Sequence, residues 1–183
     1  DPSMVVAGGA AEVPEAEDGE RVDPTQPGWL CRLLEWQRAT PDPDTFWPTW
    51  ELLTRWVDDL LAGHGIDPSR TVLGGFSQGT VMSYALSLGP DRPRPAGIMA
   101  LSGFMPTIDG FPLDTDRAAG LPVAIGHGTQ DPVISVDFAR SARERLEAAG
   151  AELTYRESPM GHQIDPRFLA ELPAWLAGAL PDA

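Results

Sequence analysis

The sequence contains no lysine and no asparagine, and its 183 residues hold one cysteine, Cys31. Without lysine, the phosphate-cradling GxxxxGK[ST] loop of nucleotide hydrolases cannot be written. A single cysteine excludes an internal disulfide framework and a cysteine-rich zinc site. In Trp29-Leu30-Cys31-Arg32 that cysteine reads as a small buried hydrophobe rather than a nucleophile. Only three histidines occur, His64, His127 and His162, and no HExxH pairs them. They are too dispersed for a zinc site, so no metal site is expected. No apolar run reaches the length of a membrane-spanning helix, and no charged-then-apolar leader opens the chain. A cytoplasmic location is the expectation.

Positive charge is also scarce. All 13 basic residues are arginine, against 27 acidic ones, for a net charge of −14. Such a surface repels phosphate backbones and anionic lipid, so nucleic acid and membrane are poor partner expectations. The missing Lys and Asn, with abundant Ala, Gly, Pro and Arg, match codon usage in a GC-rich genome; a salt-adapted acidic surface is the alternative. The length suits one domain able to bury a real core. Gly and Pro number 19 each, a high share that still falls short of a disordered composition. The chain opens on Asp1 rather than Met, as a fragment or a processed chain would.

Residues 1–28 show neither a period of 2 nor of 3.6 and are expected to be irregular or mobile. Residues 29–47 are rich in Trp, Leu and Phe but broken by Pro41 and Pro43, and read as an aromatic, cap-like loop. From residue 48 to 183 strands and helices alternate. Trp50, Leu53, Trp56, Val57, Leu60 and Leu61 mark one face of a helix over Thr49 to Gly63. Thr71 to Leu73 reads as a short buried strand closed by Gly74-Gly75, and residues 78–88 as a helix. Strands are expected at 98–101, 121–125 and 152–156. A helix is expected over 136–149, and a last one over 167–179 with Phe168, Leu169, Leu172, Trp175 and Leu176 inward. Pro173 is expected to kink or restart that last helix. The strands are continuous apolar runs rather than alternating ones, which predicts an α/β fold with a mostly parallel sheet covered by helices on both faces. In such sheets chemistry gathers at the carboxyl ends of the strands.

Between the first of these strands and its helix stands Gly75-Phe76-Ser77-Gln78-Gly79. A nucleophile on so sharp a strand-to-helix turn is forced into strained dihedrals, and its neighbours two residues away crowd together unless they are glycines. The helix N-terminus that follows offers free amides to a developing oxyanion, with that of Gln78 the natural donor. A serine needs a base and an acid that orients the base. His162, in Pro159-Met160-Gly161-His162 after the last strand, is the candidate base, since the chain order for such a turn is serine, acid, histidine. Asp131, in Gly128-Thr129-Gln130-Asp131-Pro132, follows a strand and precedes His162, which makes it the candidate acid. His127 is expected to pack or hydrogen-bond near the site, His64 to cap a helix or face solvent, and Asp165 to cap the last helix. Phe104, Met105 and Val133 lie at the catalytic end of the sheet. They read either as substrate-binding residues lining an acyl pocket or as ordinary core.

Taken together, Leu73 to Gly79, Ala100-Leu101-Ser102-Gly103, Gly126 to Val133 and Pro159 to His162 resemble the phospholipase/carboxylesterase family of small α/β-hydrolases. That group includes acyl-protein thioesterases and bacterial serine esterases. The motifs come in the family's order from about residue 45 to the end. The resemblance implies Ser77 as nucleophile, Asp131 as acid and His162 as base. It implies hydrolysis of carboxylic esters or thioesters through an acyl-enzyme, on small-molecule substrates and without metal or cofactor. Residues 24–46 look like the family's cap segment. The His-Gly loop that supplies a second oxyanion donor in the family does not appear, and roughly the first third of a typical member is expected to be missing. The strand bearing Ser77 should then show an open edge, or borrow a very short strand from residues 1–10, where Val5-Val6 is the β-prone pair. A homodimer is the expected assembly of a chain with such an edge. A catalytically silent hydrolase-like domain that binds an acyl ligand or a protein partner is the alternative to the esterase.

Overall fold

The computed structural model describes residues 4–6 and 41–180. Among the described residues five parallel strands form one sheet in the order of the chain: β1 (Met4–Val6), β2 (Val72–Phe76), β3 (Gly97–Leu101), β4 (Pro122–Gly128) and β5 (Glu152–Ser158). The helices are α1 (Pro43–His64), α2 (Gln78–Leu88), α3 (Val136–Ala148) and α4 (Pro166–Ala179). The expected cap-like loop up to residue 40, and Cys31 within it, lie outside the described residues.

Burial on both faces of the sheet explains the continuous apolar strands. Ile98 and Ala100 of β3, with Val123 and Ile125 of β4, pack against Tyr84 and Leu88 of α2 and Ala139, Ala142 and Leu146 of α3. Met99, Leu101 and Ala124, the alternate residues, pack on the other side against Phe168 and Leu172 of α4. Helix α1 lies outside α2, with Val57 and Leu61 meeting Leu73 and Leu86. It is tied there by Arg92, whose guanidinium makes two hydrogen bonds to Asp58, at 2.9 and 2.7 Å.

Several expectations about the elements need correction. Helix α1 starts six residues earlier than its apolar stripe suggests, so residues 43–47 are helical rather than loop. Asp42 caps it by accepting from the Asp44 amide at 3.0 Å, and Pro43 opens the first turn, where a missing N–H costs nothing. Trp56 is 48% exposed and Leu169 is 52% exposed, although both were expected to face inward. Each is one residue beside the buried stripe, about 100° round the helix from Val57 or Phe168. Helix α4 runs without interruption through Pro173, and Asp165 caps it by accepting from the Arg167 amide.

The glycines at 74 and 75 do not close β2; they are part of it. A Cβ on Gly74 would lie 2.7 Å from the Met99 side chain, so glycine is what lets β3 and its methionine come close. The short borrowed strand also appears. Met4, Val5 and Val6 pair in parallel with Val72, Leu73 and Gly74, three of the five residues of β2.

Candidate active site

Three loops leave the carboxyl ends of β2, β4 and β5 and meet. Ser77 sits directly after β2, with φ 56° and ψ −117°. Positive φ in a residue with a Cβ is strained by about 1–3 kcal/mol and persists only where the surroundings impose it. Here they do. A Cβ on Gly75 would lie 2.1 Å from the Gly79 carbonyl carbon, and one on Gly103 would lie 2.6 Å from the Ser77 carbonyl oxygen. The Ser77 amide continues the ladder by donating to the Leu101 carbonyl at 2.8 Å. Buried Thr80 ties the turn to β3: its hydroxyl accepts from the Leu101 amide at 2.9 Å. It is also within 2.7 and 2.8 Å of the Gly75 and Leu101 carbonyls, either of which can take its one proton. The Ser77 side chain makes no capping bond to α2, which leaves its Oγ free for another partner.

That partner is His162. Its Nε2 lies 3.0 Å from Ser77 Oγ, and its Nδ1 lies 2.7 Å from Asp131 Oδ2. A carboxylate only accepts, so Nδ1 carries the ring proton, and Nε2 of the neutral ring is bare and faces the serine hydroxyl. The Asp131 side chain has no solvent exposure. Its Oδ1 accepts from the amides of Val133 and Ile134, at 2.8 and 2.9 Å, which compensates the burial of the charge. The ring of Phe76 lies 4.7 Å from that of His162, tilted by 43°, and fills the side of the imidazole that faces β2.

The loops carrying Asp131 and His162 are stitched to each other. The Thr129 amide donates to the Ser158 carbonyl at 2.8 Å, and the Gln130 amide donates to the Met160 carbonyl at 3.0 Å. Gly128 allows this contact, because a Cβ there would lie 2.3 Å from the carbonyl oxygens of both Met160 and Gly161. The buried Ser102 hydroxyl donates to the Gln163 carbonyl at 3.2 Å, and Ser158 Oγ bonds Asp165, so the far side of the His162 loop is held as well.

The structure thus brings Ser77, Asp131 and His162 together, with α2 beginning at Gln78, where a helix's first amides have no partner within the helix. Val133 is 38% exposed beside Asp131. Phe104 and Met105 are not at the surface. Phe104 packs within the core near Phe138, and Met105 lies among Tyr84, Leu88 and Ile125. His64 is exposed at the end of α1. His127 is buried, with Nε2 2.9 Å from the Ile134 carbonyl. Sequence reading missed Thr80, Gly128 and Ser102 as supports of the site. No helix among the described residues is long and apolar enough to cross a membrane.

The chain is similar to known proteins. Residues 27–179 match the family described as Phospholipase/Carboxylesterase. An acyl-protein thioesterase 1 from Debaryomyces hansenii is 32% identical over 127 residues, covering 68% of this chain and 54% of the relative. An acyl-protein thioesterase 1 from Gibberella zeae is 35% identical over 121 residues, covering 64% of this chain and 51% of the relative. The chain therefore spans about half the length of these relatives. Among solved structures, a carboxylesterase from Mesorhizobium loti superposes with a TM-score of 0.61 at 24% identity, over 89% of this chain and 71% of that one. A Bacillus cereus carboxylesterase does so with a TM-score of 0.60 at 24% identity, over 72% and 60%. These structures share the α/β-hydrolase fold with this chain. By its sequence match over residues 27–179, the chain belongs to the phospholipase/carboxylesterase family.

Proposed function

We propose that this protein is a serine hydrolase that cleaves carboxylic esters or thioesters through an acyl-enzyme, with Ser77 as nucleophile, His162 as base and Asp131 as the acid that orients it. The observation that carries this reading is the continuous chain from Ser77 Oγ to His162 at 3.0 Å and on to Asp131 at 2.7 Å. Ser77 Oγ attacks the acyl carbon while its proton passes to His162 Nε2. The resulting imidazolium is stabilised by the buried Asp131 carboxylate and gives its proton to the leaving alcohol or thiol. Water then adds to the acyl carbon by the same proton route, and the carboxylic acid leaves. The Gln78 amide is the proposed donor to the oxyanion, at the start of α2. Val133, exposed beside Asp131, is the proposed first contact of the acyl chain. Phe104 and Met105 would form the floor under it only from within the core. The substrate is a small ester or thioester, and a cytoplasmic location and a homodimer complete the proposal.

A fluorophosphonate probe tests it. The expected result is a covalent adduct on Ser77 that is absent from Ser77→Ala. An adduct of undiminished yield in Ser77→Ala would overturn the assignment of Ser77, and no adduct on the folded wild-type chain would favour the catalytically silent domain.

A further inference from the structure

His127 is a buried histidine that the proposed reaction leaves unused. Its ring is 4% exposed as a residue, and Nε2 lies 2.9 Å from the Ile134 carbonyl and 3.5 Å from Asp131 Oδ2. A carbonyl oxygen only accepts, so Nε2 carries the proton and Nδ1 is bare. Nδ1 is buried without a hydrogen-bond partner among the described residues. The same Ile134 whose carbonyl takes this proton gives its own amide to Asp131 Oδ1, at 2.9 Å. The Ile134 residue is thus gripped on one side by the histidine and on the other by the carboxylate.

We propose that His127 is the positioning residue for Asp131: by holding Ile134 with its Nε2–H, it fixes the loop amides on Oδ1 and so leaves Oδ2 aimed at His162. This rests on the reading of Ser77, His162 and Asp131 as the catalytic set. The geometry requires His127 to stay neutral. A proton added at Nδ1 would have no partner, and a charged ring 3.5 Å from Oδ2 would draw the carboxylate away from His162. Burial, the largest influence on this ring, pushes its proton affinity below the ordinary value. The Ile134 carbonyl, Asp131 and Glu157, which pairs across from His127 on β5, pull the other way, and His162 adds to the downward push.

The test uses the full chain and three variants. His127→Leu keeps bulk and removes the donor, His127→Gln can return an N–H near the place of Nε2, and His127→Asn is polar but too short to reach. The rate of Ser77 labelling by a fluorophosphonate is followed against pH. A 1 Å misplacement of a catalytic group typically costs about 100-fold, so His127→Leu and His127→Asn are expected to label at least about tenfold more slowly. The acid limb of their rate profile should move to lower pH, because a poorly aimed carboxylate supports the imidazolium less. His127→Gln should recover most of the rate. A purely structural role would lower the labelled fraction without moving the limb. Labelling within twofold of wild type in both Leu and Asn, or a Gln variant as slow as Leu at unchanged melting temperature, overturns the proposal.

A second readout separates this proposal from the catalytic reading. With three histidines in the chain, the low-field proton resonance of His162 Nδ1–H can be identified by single substitution whether or not the chain turns over substrate. The proposal expects that resonance in wild type and His127→Gln and its loss in His127→Leu and His127→Asn. Its persistence in all three variants overturns the positioning role even if Ser77 is never labelled.

Discussion

Gly128, the last residue of β4, faces the carbonyl oxygen of Gly161 so closely that a Cβ would lie 2.3 Å from it. The obstruction is backbone on both sides, since the Met160 carbonyl oxygen is equally near, and neither can swing aside as a side chain would. Gly128→Ala is therefore expected to push the His162 loop from the Asp131 loop and lengthen the bonds from Thr129 and Gln130 that join them. Overpacking of this kind costs roughly 1–3 kcal/mol of stability. The loss of alignment should reach about 100-fold in Ser77 reactivity. Melting temperature and the labelling rate per folded molecule measure the two effects separately, and an alanine variant with wild-type labelling would show that the loops are not rigidly coupled.

Thr80 makes a prediction of the opposite kind, in which shape is kept and a hydrogen bond is lost. Thr80→Val removes the hydroxyl that accepts from the Leu101 amide and bridges β2 to β3 beneath Ser77. A buried amide left without its partner costs roughly 1–3 kcal/mol. Thr80→Ser should recover most of that. Denaturant midpoints of the two variants measure the difference; equal midpoints would mean that the amide finds another acceptor.

Legibility in the sequence follows how local each signal is. Ser77, Asp131 and His162 can be read because each stands in a short motif after an apolar run, and the alternation of runs and helical stripes fixes the parallel α/β architecture. Gly128 and Thr80 cannot be read the same way. What gives them meaning is contact with Gly161 and Leu101, 33 and 21 positions along the chain, and no periodicity encodes it. Gly74 looks like a strand end for the same reason, since Met99 is what it accommodates. The start of α1 stands in Asp42-Pro43 as a cap and a first-turn proline, a pair that in sequence reads equally as a break in a loop. Trp56 and Leu169 show that a helical period gives the direction of a buried stripe more surely than its width. At Phe104 and Met105 the position at the end of β3 was legible, and their burial was not, because it depends on α2 and α3 closing over them.

Acid should weaken the fold, and Glu157 and His127 are two of the groups through which it acts. Glu157 accepts two hydrogen bonds from Arg140, at 2.9 and 2.8 Å, and one from Tyr155, at 2.8 Å. Chiefly through Arg140, its carboxyl is held down from 4.5 to about 2. The folded pKa is depressed, so the stabilisation is present above 4.5 and is lost as pH falls from 4.5 toward 2. His127 is also depressed in the folded state, by burial first, so below its ordinary 6.5 the unfolded chain takes up a proton that the folded chain refuses. Stability should thus begin to fall below pH 6.5 and fall further below 4.5. Melting temperatures against pH should lose the first part in His127→Gln and a share of the second in Glu157→Gln, since Asp67 and Asp165 are also held down in the folded chain. A variant whose curve keeps the wild-type shape in its own window would show that the group it replaced is not responsible.

Phe76 lies within the serine turn itself, with its ring 4.7 Å from that of His162. In the ground state the contact is one of shape: the phenyl ring limits rotation of a neutral imidazole held at both nitrogens. In the proposed reaction the imidazole becomes charged once Ser77 passes its proton to Nε2, and an aromatic face within about 6 Å of a cation is worth roughly 0.5–1 kcal/mol at an accessible site. The contact therefore strengthens as the reaction proceeds, which is the condition for raising the rate of the chemical step rather than substrate affinity. Phe76→Leu, which keeps the bulk and removes the ring, should lower kcat by about two- to fivefold, the rate equivalent of that energy, with KM nearly unchanged. Phe76→Tyr should match wild type. Steady-state kinetics on a short activated ester measures both constants, and a change confined to KM would mean that Phe76 meets the substrate rather than the imidazolium.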